Sequence, residues 1–257
     1  MAHLEVDYYS DALGMSGNMH VLLPESAAQG SVQTLYLFHG MSDDASMWTR
    51  RTAIECYADA KGIAVVMPDA GLGWYTDMHR GQNWFAFVSE ELPHLTRRFF
   101  PMLSHRREDT FAGGLSMGGY GALKCCLRAP GTFSRAICLS GALDVAQIAR
   151  GGTVEALSGY WEDVFGPAGE IPGSFNDLFA AAQEMKDSPL KPSVYMWCGM
   201  QDFLYEINLR MRDHLRALGY ALVYEESSGD HQWKYWDQKI ADALDWLVPE
   251  KEAVKWR

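Results

Sequence analysis

The hydrophobic pattern of the chain alternates between short apolar runs and longer segments with apolar residues at helical spacing. Near-continuous apolar runs are typical of strands buried on both faces, whereas the first two β-prone runs, separated by glycines, are typical of a hairpin. The predicted strands cover residues 4–9, 18–23, 33–38, 63–67, 110–115, 136–139, 193–198 and 221–225. The predicted helices cover residues 47–61, 85–99, 203–218 and 233–247, with a further helix beginning at residue 117. This alternation predicts an α/β fold with a mostly parallel central sheet and helices on both faces.

Two parts of the chain differ from this alternation of strands and helices. The first two strands predict an antiparallel hairpin at the sheet edge. After the sixth strand, residues 142–192 carry small, aromatic and turn-forming residues without any strand pattern. They predict a small cap-like insertion of short helices within a single domain that spans residues 1–257.

The strongest candidate for chemistry is Ser116, at the junction between the fifth predicted strand and the helix after it. Gly114 and Gly118 flank it and complete the pattern G-x-S-x-G. A serine on a sharp strand-to-helix turn has a strained backbone, and only neighbours without side chains let the two segments approach each other. The N–H of Met117 opens the helix, where free donors and the positive end of the helix dipole can stabilise an oxyanion.

The remaining candidates are polar residues that directly follow strands, because ligands of parallel sheets bind beyond the carboxyl ends of the strands. Asp202 follows the seventh predicted strand and His231 follows the eighth. Serine, acid and histidine in this chain order are expected of an α/β-hydrolase. His231 would take the proton of Ser116 as general base, and Asp202 would orient the imidazole.

Each of these residues also has a non-catalytic interpretation. A histidine in a turn is usually a solvated polar residue, and an aspartate ahead of a helix is usually an N-cap. Two other aspartates are rival acids: Asp144 follows the sixth strand, and Asp230 is adjacent to His231. Asp202 ranks ahead of both, and sequence neighbours such as Asp230 and His231 seldom aim their side chains at one another across a turn.

The loop after the third strand should supply a second oxyanion donor. There Gly40 allows close backbone approach, and the N–H of Met41 is the candidate donor, which leaves the preceding histidine a structural role. Bulky aromatic residues could wall the substrate pocket, although each could equally be ordinary core packing. The predicted substrate-binding residues are Gly40, Trp74, Tyr75, Trp161 and Phe203.

Composition and charge narrow the function further. With 33 acidic and 22 basic residues, the net charge of -11 argues against a nucleic-acid or anionic-membrane partner. The five cysteines form no CxxC pair and are expected to be reduced and buried. No metal-ligand, Walker or dinucleotide pattern occurs, so no metal and no cofactor is predicted. The chain shows no signal peptide and no apolar run long enough to span a bilayer, which predicts a cytoplasmic location.

Several longer segments resemble one known family. They read FHGMSDDASMWTRRT, VVMPDAGLGWYTD, EELPHLTRRFFP, FAGGLSMGGYGALK, YWEDVFG, WCGMQDFLYE and GDHQWKYW. Together they resemble the bacterial tributyrin-esterase family, part of the wider esterase D group of serine esterases, over about residues 6–246. The resemblance implies an α/β-hydrolase fold and hydrolysis of short-chain acyl esters. It also implies the same triad, Ser116, Asp202 and His231, with the N–H groups of Met41 and Met117 as oxyanion donors.

The resemblance leaves alternatives for the substrate. Acetyl to butyryl esters are expected, with carbohydrate acetyl or feruloyl esters as an alternative because aromatic walls also stack on sugars. An S-formylglutathione hydrolase is less expected, because relatives with that activity carry a cysteine in the oxyanion loop and the stretch HGMSDDA has none. A non-catalytic binding protein of the same fold is disfavoured by the intact triad and oxyanion loops. Exposed aromatic residues would favour a homo-oligomer, whose size the sequence does not set.

Overall fold

The computed structural model describes residues 1–25, 31–151 and 159–249. An eight-stranded sheet forms its centre, with the strand order β1-β2-β4-β3-β5-β6-β7-β8. The strands are β1 Ala2–Ser10, β2 Met15–Leu23, β3 Thr34–Phe38, β4 Ala64–Pro68, β5 Thr110–Leu115, β6 Arg135–Leu139, β7 Ser193–Gly199 and β8 Leu222–Ser227. Strands β3 to β8 run parallel, whereas β1 and β2 pair antiparallel with each other and β2 pairs antiparallel with β4. The predicted parallel sheet with an antiparallel edge hairpin is confirmed.

Both faces of the sheet are buried, as the continuous apolar strands require. Every residue of β3 is buried, and its side chains alternate between the two layers. Leu35 and Leu37 join the core on one face, and Tyr36 and Phe38 join the core on the other. The helices therefore cover the sheet on two sides.

The helices follow the predicted order along the chain. They are α1 Met47–Arg51, α2 Ile54–Lys61, α3 Trp84–Ala86, α4 Leu92–Phe99, α5 Met117–Arg128, α6 Val145–Gly151, α7 Tyr160–Phe165, α8 Leu178–Glu184, α9 Tyr205–Ala217 and α10 Trp233–Leu247. A π-helical turn, Phe87–Glu91, joins α3 to α4, and a 3-10 turn, Arg107–Asp109, precedes β5. The π-helical turn lies just ahead of Pro93, which has no N–H to donate and so cannot continue a regular helical ladder.

One predicted helix, residues 47–61, is broken into α1 and α2. Thr52 leaves the helical conformation at φ -138°, ψ 168°, and its hydroxyl donates to the carbonyl of Trp48 at 2.5 Å. The next N–H, of Ala53, donates to the carboxylate of Asp237 on α10 at 2.9 Å. The break follows from a partner far along the chain, which the local pattern does not reveal.

The insertion between β6 and β7 contains α6, α7 and α8 and, in its described part, no strand. The residues 152–158 of the predicted insertion lie outside the described residues. Four of the five cysteines are buried, as expected, whereas Cys56 lies exposed on α2.

Candidate active site

Ser116 occupies the strained turn that its two glycines predict. Its backbone has φ 53° and ψ -118°, a region that side chains rarely adopt, and it directly precedes the first residue of α5. A Cβ on Gly114 would lie 2.5 Å from the carbonyl carbon of Gly118, and a Cβ on Gly118 would lie 2.4 Å from the carbonyl oxygen of Phe38. Both glycines are therefore sterically required, because β3, β5 and α5 meet at this point.

Ser116 is also fixed by the neighbouring strand. Its N–H donates to the carbonyl of Leu139 at the end of β6, and its carbonyl accepts from the N–H of Ala142. The two bonds, each 3.0 Å long, continue the β5–β6 ladder past the last residues of both strands. The side chain of Ser116 thus projects at the carboxyl end of the sheet, where ligands bind in parallel α/β folds.

His231 and Asp202 are in direct contact. The ring nitrogen Nδ1 of His231 lies 2.8 Å from Oδ2 of Asp202. The side chain of Asp202 has no exposed surface, and its other oxygen, Oδ1, accepts the N–H of Leu204 at 2.9 Å. A carboxylate only accepts, so Nδ1 carries the hydrogen and Nε2 of the neutral ring is left to take a proton.

Two aromatic rings hold the imidazole in place. The ring of Phe203 is 4.5 Å from that of His231, and Trp236 meets it edge-on at 4.8 Å. The indole N–H of Trp236 donates to the hydroxyl of Ser140 at 3.1 Å. Because Ser140 directly follows Leu139, which accepts the N–H of Ser116, this contact links the histidine to the turn at Ser116.

Ser140 and Trp236 were missed by sequence reasoning. Ser140 is fully buried with φ 47°, yet nothing in its local sequence marks it, because it is one small residue after a strand. Trp236 fits the apolar face of α10, and its second role depends on a contact across the sheet.

The two rival acids lie in other interactions. Asp144 accepts from Arg210 at 2.9 Å and from the N–H of Gln147 at 2.9 Å, near the start of α6. Asp230 accepts from the side chain of Gln232 at 2.6 Å. Neither carboxylate occupies the position beside His231.

The loop after β3 approaches Ser116 closely, as predicted. A Cβ on Gly40 would lie 2.7 Å from Cδ1 of Leu115 and 3.8 Å from Cβ of Ser116. His39 lies beneath this loop, where its Nδ1 donates to the carbonyl of Gly40 and its Nε2 accepts the N–H of Ala70. The ring is thus held by two bonds, which fits its predicted structural role.

Met41 follows Gly40 on this loop, and Met117 lies in the first turn of α5. The first four N–H groups of a helix have no acceptor within the helix, so the N–H of Met117 is free of that ladder. Both N–H groups belong to segments that meet at Ser116, which is the arrangement that an oxyanion hole requires.

The prediction that Tyr75 lines the pocket is wrong. Tyr75 has no exposed surface, its ring stacks on Phe38 at 4.5 Å, and its hydroxyl donates to the carbonyl of His39 at 3.0 Å. It supports the loop after β3 from below and has no surface left for a substrate. Sequence reasoning could not separate the two roles, because an aromatic residue in a glycine-rich loop fits both.

The other predicted pocket residues lie in two places. Trp74 is 3% exposed and contacts Trp161, Phe165 and Tyr120 at ring distances between 5.2 and 5.9 Å. We call Trp74, Tyr120, Tyr160, Trp161 and Phe165 the aromatic cluster. It begins one turn after Ser116, since the N–H of Tyr120 donates to the carbonyl of Ser116. Phe203, by contrast, is 75% exposed at the rim beside His231.

Within the described ranges, no group of three or more histidine, cysteine, aspartate or glutamate side chains is placed to hold a metal ion. In the same ranges, none of the helices has the length and apolar character needed to traverse a bilayer.

Comparison with known proteins identifies the family. The family model described as "Putative esterase" matches residues 10–247. The chain belongs to the esterase family. An acetyl esterase of Caldicellulosiruptor saccharolyticus is 32% identical over 96% of this chain and 98% of that protein. The resemblance to esterase D-like serine esterases is therefore confirmed.

Solved structures agree with this placement. The fluorophosphonate-binding serine hydrolase FphF of Staphylococcus aureus superposes with a TM-score of 0.89 at 31% identity, over 97% of this chain and 99% of that one. An S-formylglutathione hydrolase, FrmB, of the same organism gives a TM-score of 0.86 at 31% identity, over 96% and 98%. The esterase has the α/β-hydrolase fold and is a serine esterase.

Proposed function

We propose that this esterase hydrolyses short-chain acyl esters with Ser116 as nucleophile, His231 as general base and Asp202 as the acid that orients it. The observation that carries the proposal is the 2.8 Å contact between His231 and a carboxylate without exposed surface, at the sheet edge where Ser116 lies on its strained turn. A histidine held in this way presents Nε2 for proton transfer.

The reaction would proceed through an acyl-enzyme. Ser116 attacks the ester carbonyl while His231 takes its proton, and the N–H groups of Met41 and Met117 stabilise the oxyanion of the tetrahedral intermediate. His231 then protonates the leaving alcohol. Water, activated by the same imidazole, releases the acid and restores the serine. None of these steps needs a metal or a cofactor, so the proposed residues are sufficient for the reaction.

Labelling with a fluorophosphonate probe tests the nucleophile. The wild type should be labelled and Ser116→Ala should not, because the probe reacts with an activated serine hydroxyl. Ser228→Ala removes an exposed serine three residues before His231 and should be labelled like the wild type. Labelling of Ser116→Ala at the wild-type rate would show that another residue is the nucleophile.

We further propose a preference for acetyl to butyryl groups. The aromatic cluster supports it, because the cluster reaches α5 one helical turn from Ser116 and its rings are closely packed: Trp74 and Phe165 keep only 3% and 7% exposure. The similarity to an acetyl esterase points the same way. In a series of nitrophenyl esters, kcat/KM should peak at or below four carbons. A peak at eight carbons or more would contradict a short acyl site.

A thioester substrate is a second candidate. The 31% identity to the structure named S-formylglutathione hydrolase favours it, although the oxyanion loop lacks the cysteine that argues for that activity. Comparing kcat/KM for S-formylglutathione with that for nitrophenyl acetate separates the two. Acetylated xylan and a feruloyl ester belong in the same comparison, since the exposed ring of Phe203 offers a stacking surface for a sugar. The substrate would in each case be a small-molecule or carbohydrate acyl ester.

The place of residues 142–192 completes the proposal. They would form a small cap over the site within one domain, with Trp161 and Phe165 of α7 as its contribution to the pocket wall. Within this segment, α8 packs against α5.

A further inference from the structure

Three polar side chains form a stripe along α5, the helix that directly follows Ser116. Tyr120, Lys124 and Arg128 are spaced by four residues and therefore lie on one face. All three contact the short segment 174–176 that precedes α8. Tyr120 donates to the carbonyl of Asn176 at 3.0 Å, and Arg128 donates to the carbonyl of Phe175 at 3.2 Å. The stripe ties the insertion to the nucleophile helix.

Lys124 is the unusual member of this stripe because its side chain is fully buried. Its ammonium group donates to the hydroxyl of Thr76 and to Oδ1 of Asn176, the latter at 2.6 Å. The rings of Phe85, Tyr120 and Phe175 surround it at 5.0 to 5.5 Å. In the described part of the chain, no carboxylate forms an ion pair with it.

A lysine in this position is costly to bury. Transfer of an ammonium from water into the interior costs several kcal/mol unless it is paired, and replacement of such a group by a well-packed apolar residue is often neutral or stabilising. Stability alone therefore does not account for a lysine at this position. Its contacts with Thr76 and Asn176 indicate another role.

Thr76 ends a strained turn. Its two predecessors, Trp74 and Tyr75, both have positive φ, at 52° and 48°. Such a conformation costs on the order of 1–3 kcal/mol for each residue and persists only where the surroundings enforce it. Trp74 belongs to the aromatic cluster, and Tyr75 holds the carbonyl of His39 under the oxyanion loop. One short turn thus fixes two parts of the site.

Asn176 completes the connection between three elements. Its Oδ1 accepts from Lys124 and also from the hydroxyl of Thr76, at 2.5 Å. Helix α5, the strained turn and the insertion therefore meet in one hydrogen-bonded triangle, in which Lys124 and Thr76 are buried and Asn176 is half-buried. The turn and the insertion are also joined directly, by the Thr76–Asn176 bond and by the indole N–H of Trp74, which donates to the hydroxyl of Tyr160 at 2.8 Å. The two bonds of Lys124 tie both of them to α5.

We propose that Lys124 is a positioning residue that sets the size of the acyl pocket, by holding the turn at residues 74–76 and the insertion at a fixed distance from Ser116. This rests on the proposed esterase function. Lys124 touches no reacting atom; it determines where the aromatic cluster stands. Loss of its two bonds lets the cluster relax outward and admits longer acyl groups.

The test compares Lys124→Met with Asn176→Ala and with the double variant. For each, kcat/KM is measured for nitrophenyl acetate, butyrate and hexanoate, together with the rate of fluorophosphonate labelling and the urea midpoint. Both single variants should raise the hexanoate-to-acetate ratio of kcat/KM on the order of 10-fold, the size of effect that pocket dimensions produce. The double variant should show no more than the larger single effect, because both act through one contact.

Three readouts distinguish the outcomes. Lys124→Met should keep a urea midpoint equal to or above that of the wild type, which a purely structural loss would not do. Lys61→Met is the matched control. It removes the lysine at the end of α2, which pairs with Asp245, and should leave the hexanoate-to-acetate ratio unchanged. An unchanged ratio in Lys124→Met, with the wild type labelled and active, overturns the positioning role. A wild type that is neither labelled nor active overturns the proposed function itself.

Discussion

Gly118 gives the sharpest test of the nucleophile turn, because its replacement should reverse a familiar trend. In a helix, glycine to alanine ordinarily stabilises a protein by about 1 kcal/mol. Here the added Cβ would lie 2.4 Å from the carbonyl oxygen of Phe38 and 2.7 Å from that of His39. Both oxygens are backbone atoms, so no rotamer change can make room, and β3 or α5 must move by about 1 Å to restore an ordinary contact.

The magnitude follows from that displacement. Overpacking of this kind costs about 1–3 kcal/mol, which cancels or outweighs the helical gain of about 1 kcal/mol and leaves Gly118→Ala less stable by up to about 2 kcal/mol. The carbonyls that must move lead directly to Gly40 and Met41, the proposed oxyanion loop. A 1 Å misplacement at a reacting centre costs on the order of 100-fold in rate, so kcat/KM for nitrophenyl acetate should fall by about that factor.

Urea unfolding and ester hydrolysis measure the two effects on the same samples. Gly131→Ala is the control, since a Cβ there has no atom within 4 Å, and it should change neither quantity. If Gly118→Ala unfolds at the wild-type midpoint and keeps kcat/KM within a factor of three, the packing argument for the nucleophile turn is wrong.

Three further predictions concern the orienting acid, the rim residue Phe203 and the buried Lys124. Asp202→Asn should lower kcat by about 10⁴-fold, as loss of the orienting acid does in serine proteases, whereas Asp230→Asn should stay close to wild type; equal losses would reassign the acid. Phe203→Ala removes an exposed ring from the imidazole of His231, so kcat/KM should fall by about 10-fold while the free energy of unfolding changes by less than about 0.5 kcal/mol; a large loss of stability would instead make Phe203 a core residue. Burial lowers the pKa of Lys124 from 10.5 to about 7, so between these values the unfolded chain binds more protons and stability rises with pH. Relative to Lys124→Met, the wild type should therefore gain free energy of unfolding from pH 7 to 9, with a slope approaching about 1.4 kcal/mol per pH unit; a difference independent of pH would show that Lys124 does not titrate in this range.

Local sterics explain why so much of the site could be predicted. A serine between two glycines at a strand end has few other structural solutions, and the backbone contacts of Gly114 and Gly118 show that this requirement is met. Asp202 and His231 could be chosen from the sequence because parallel strands present their carboxyl ends on one edge of the sheet. These features depend on chain order and on near neighbours, which a sequence displays.

Features set by distant partners could not be predicted. The break at Thr52 depends on Asp237, a residue of the last helix, and the burial of Tyr75 depends on how a loop folds back onto Phe38. Where the local sequence fits two roles of a residue equally well, only tertiary packing decides between them. Lys124 belongs with them, because a charged residue in an otherwise regular helix predicts an exposed position.

The spacing between Ser116 and Asp202 depends on β6, a strand that contributes no residue to the proposed triad. Ser116 is fixed at the end of β5 and Asp202 follows β7, so β6 separates the two in the sheet. The N–H of Ser116 donates to Leu139 at the end of β6, and the N–H of Ser140 donates to the carbonyl of Trp197 on β7 at 2.7 Å. Two consecutive residues of β6 and its extension thus join both halves of the site through the backbone. A hydrophobic strand buried on both faces sets the geometry, and the loops after the strands need only present the reacting side chains.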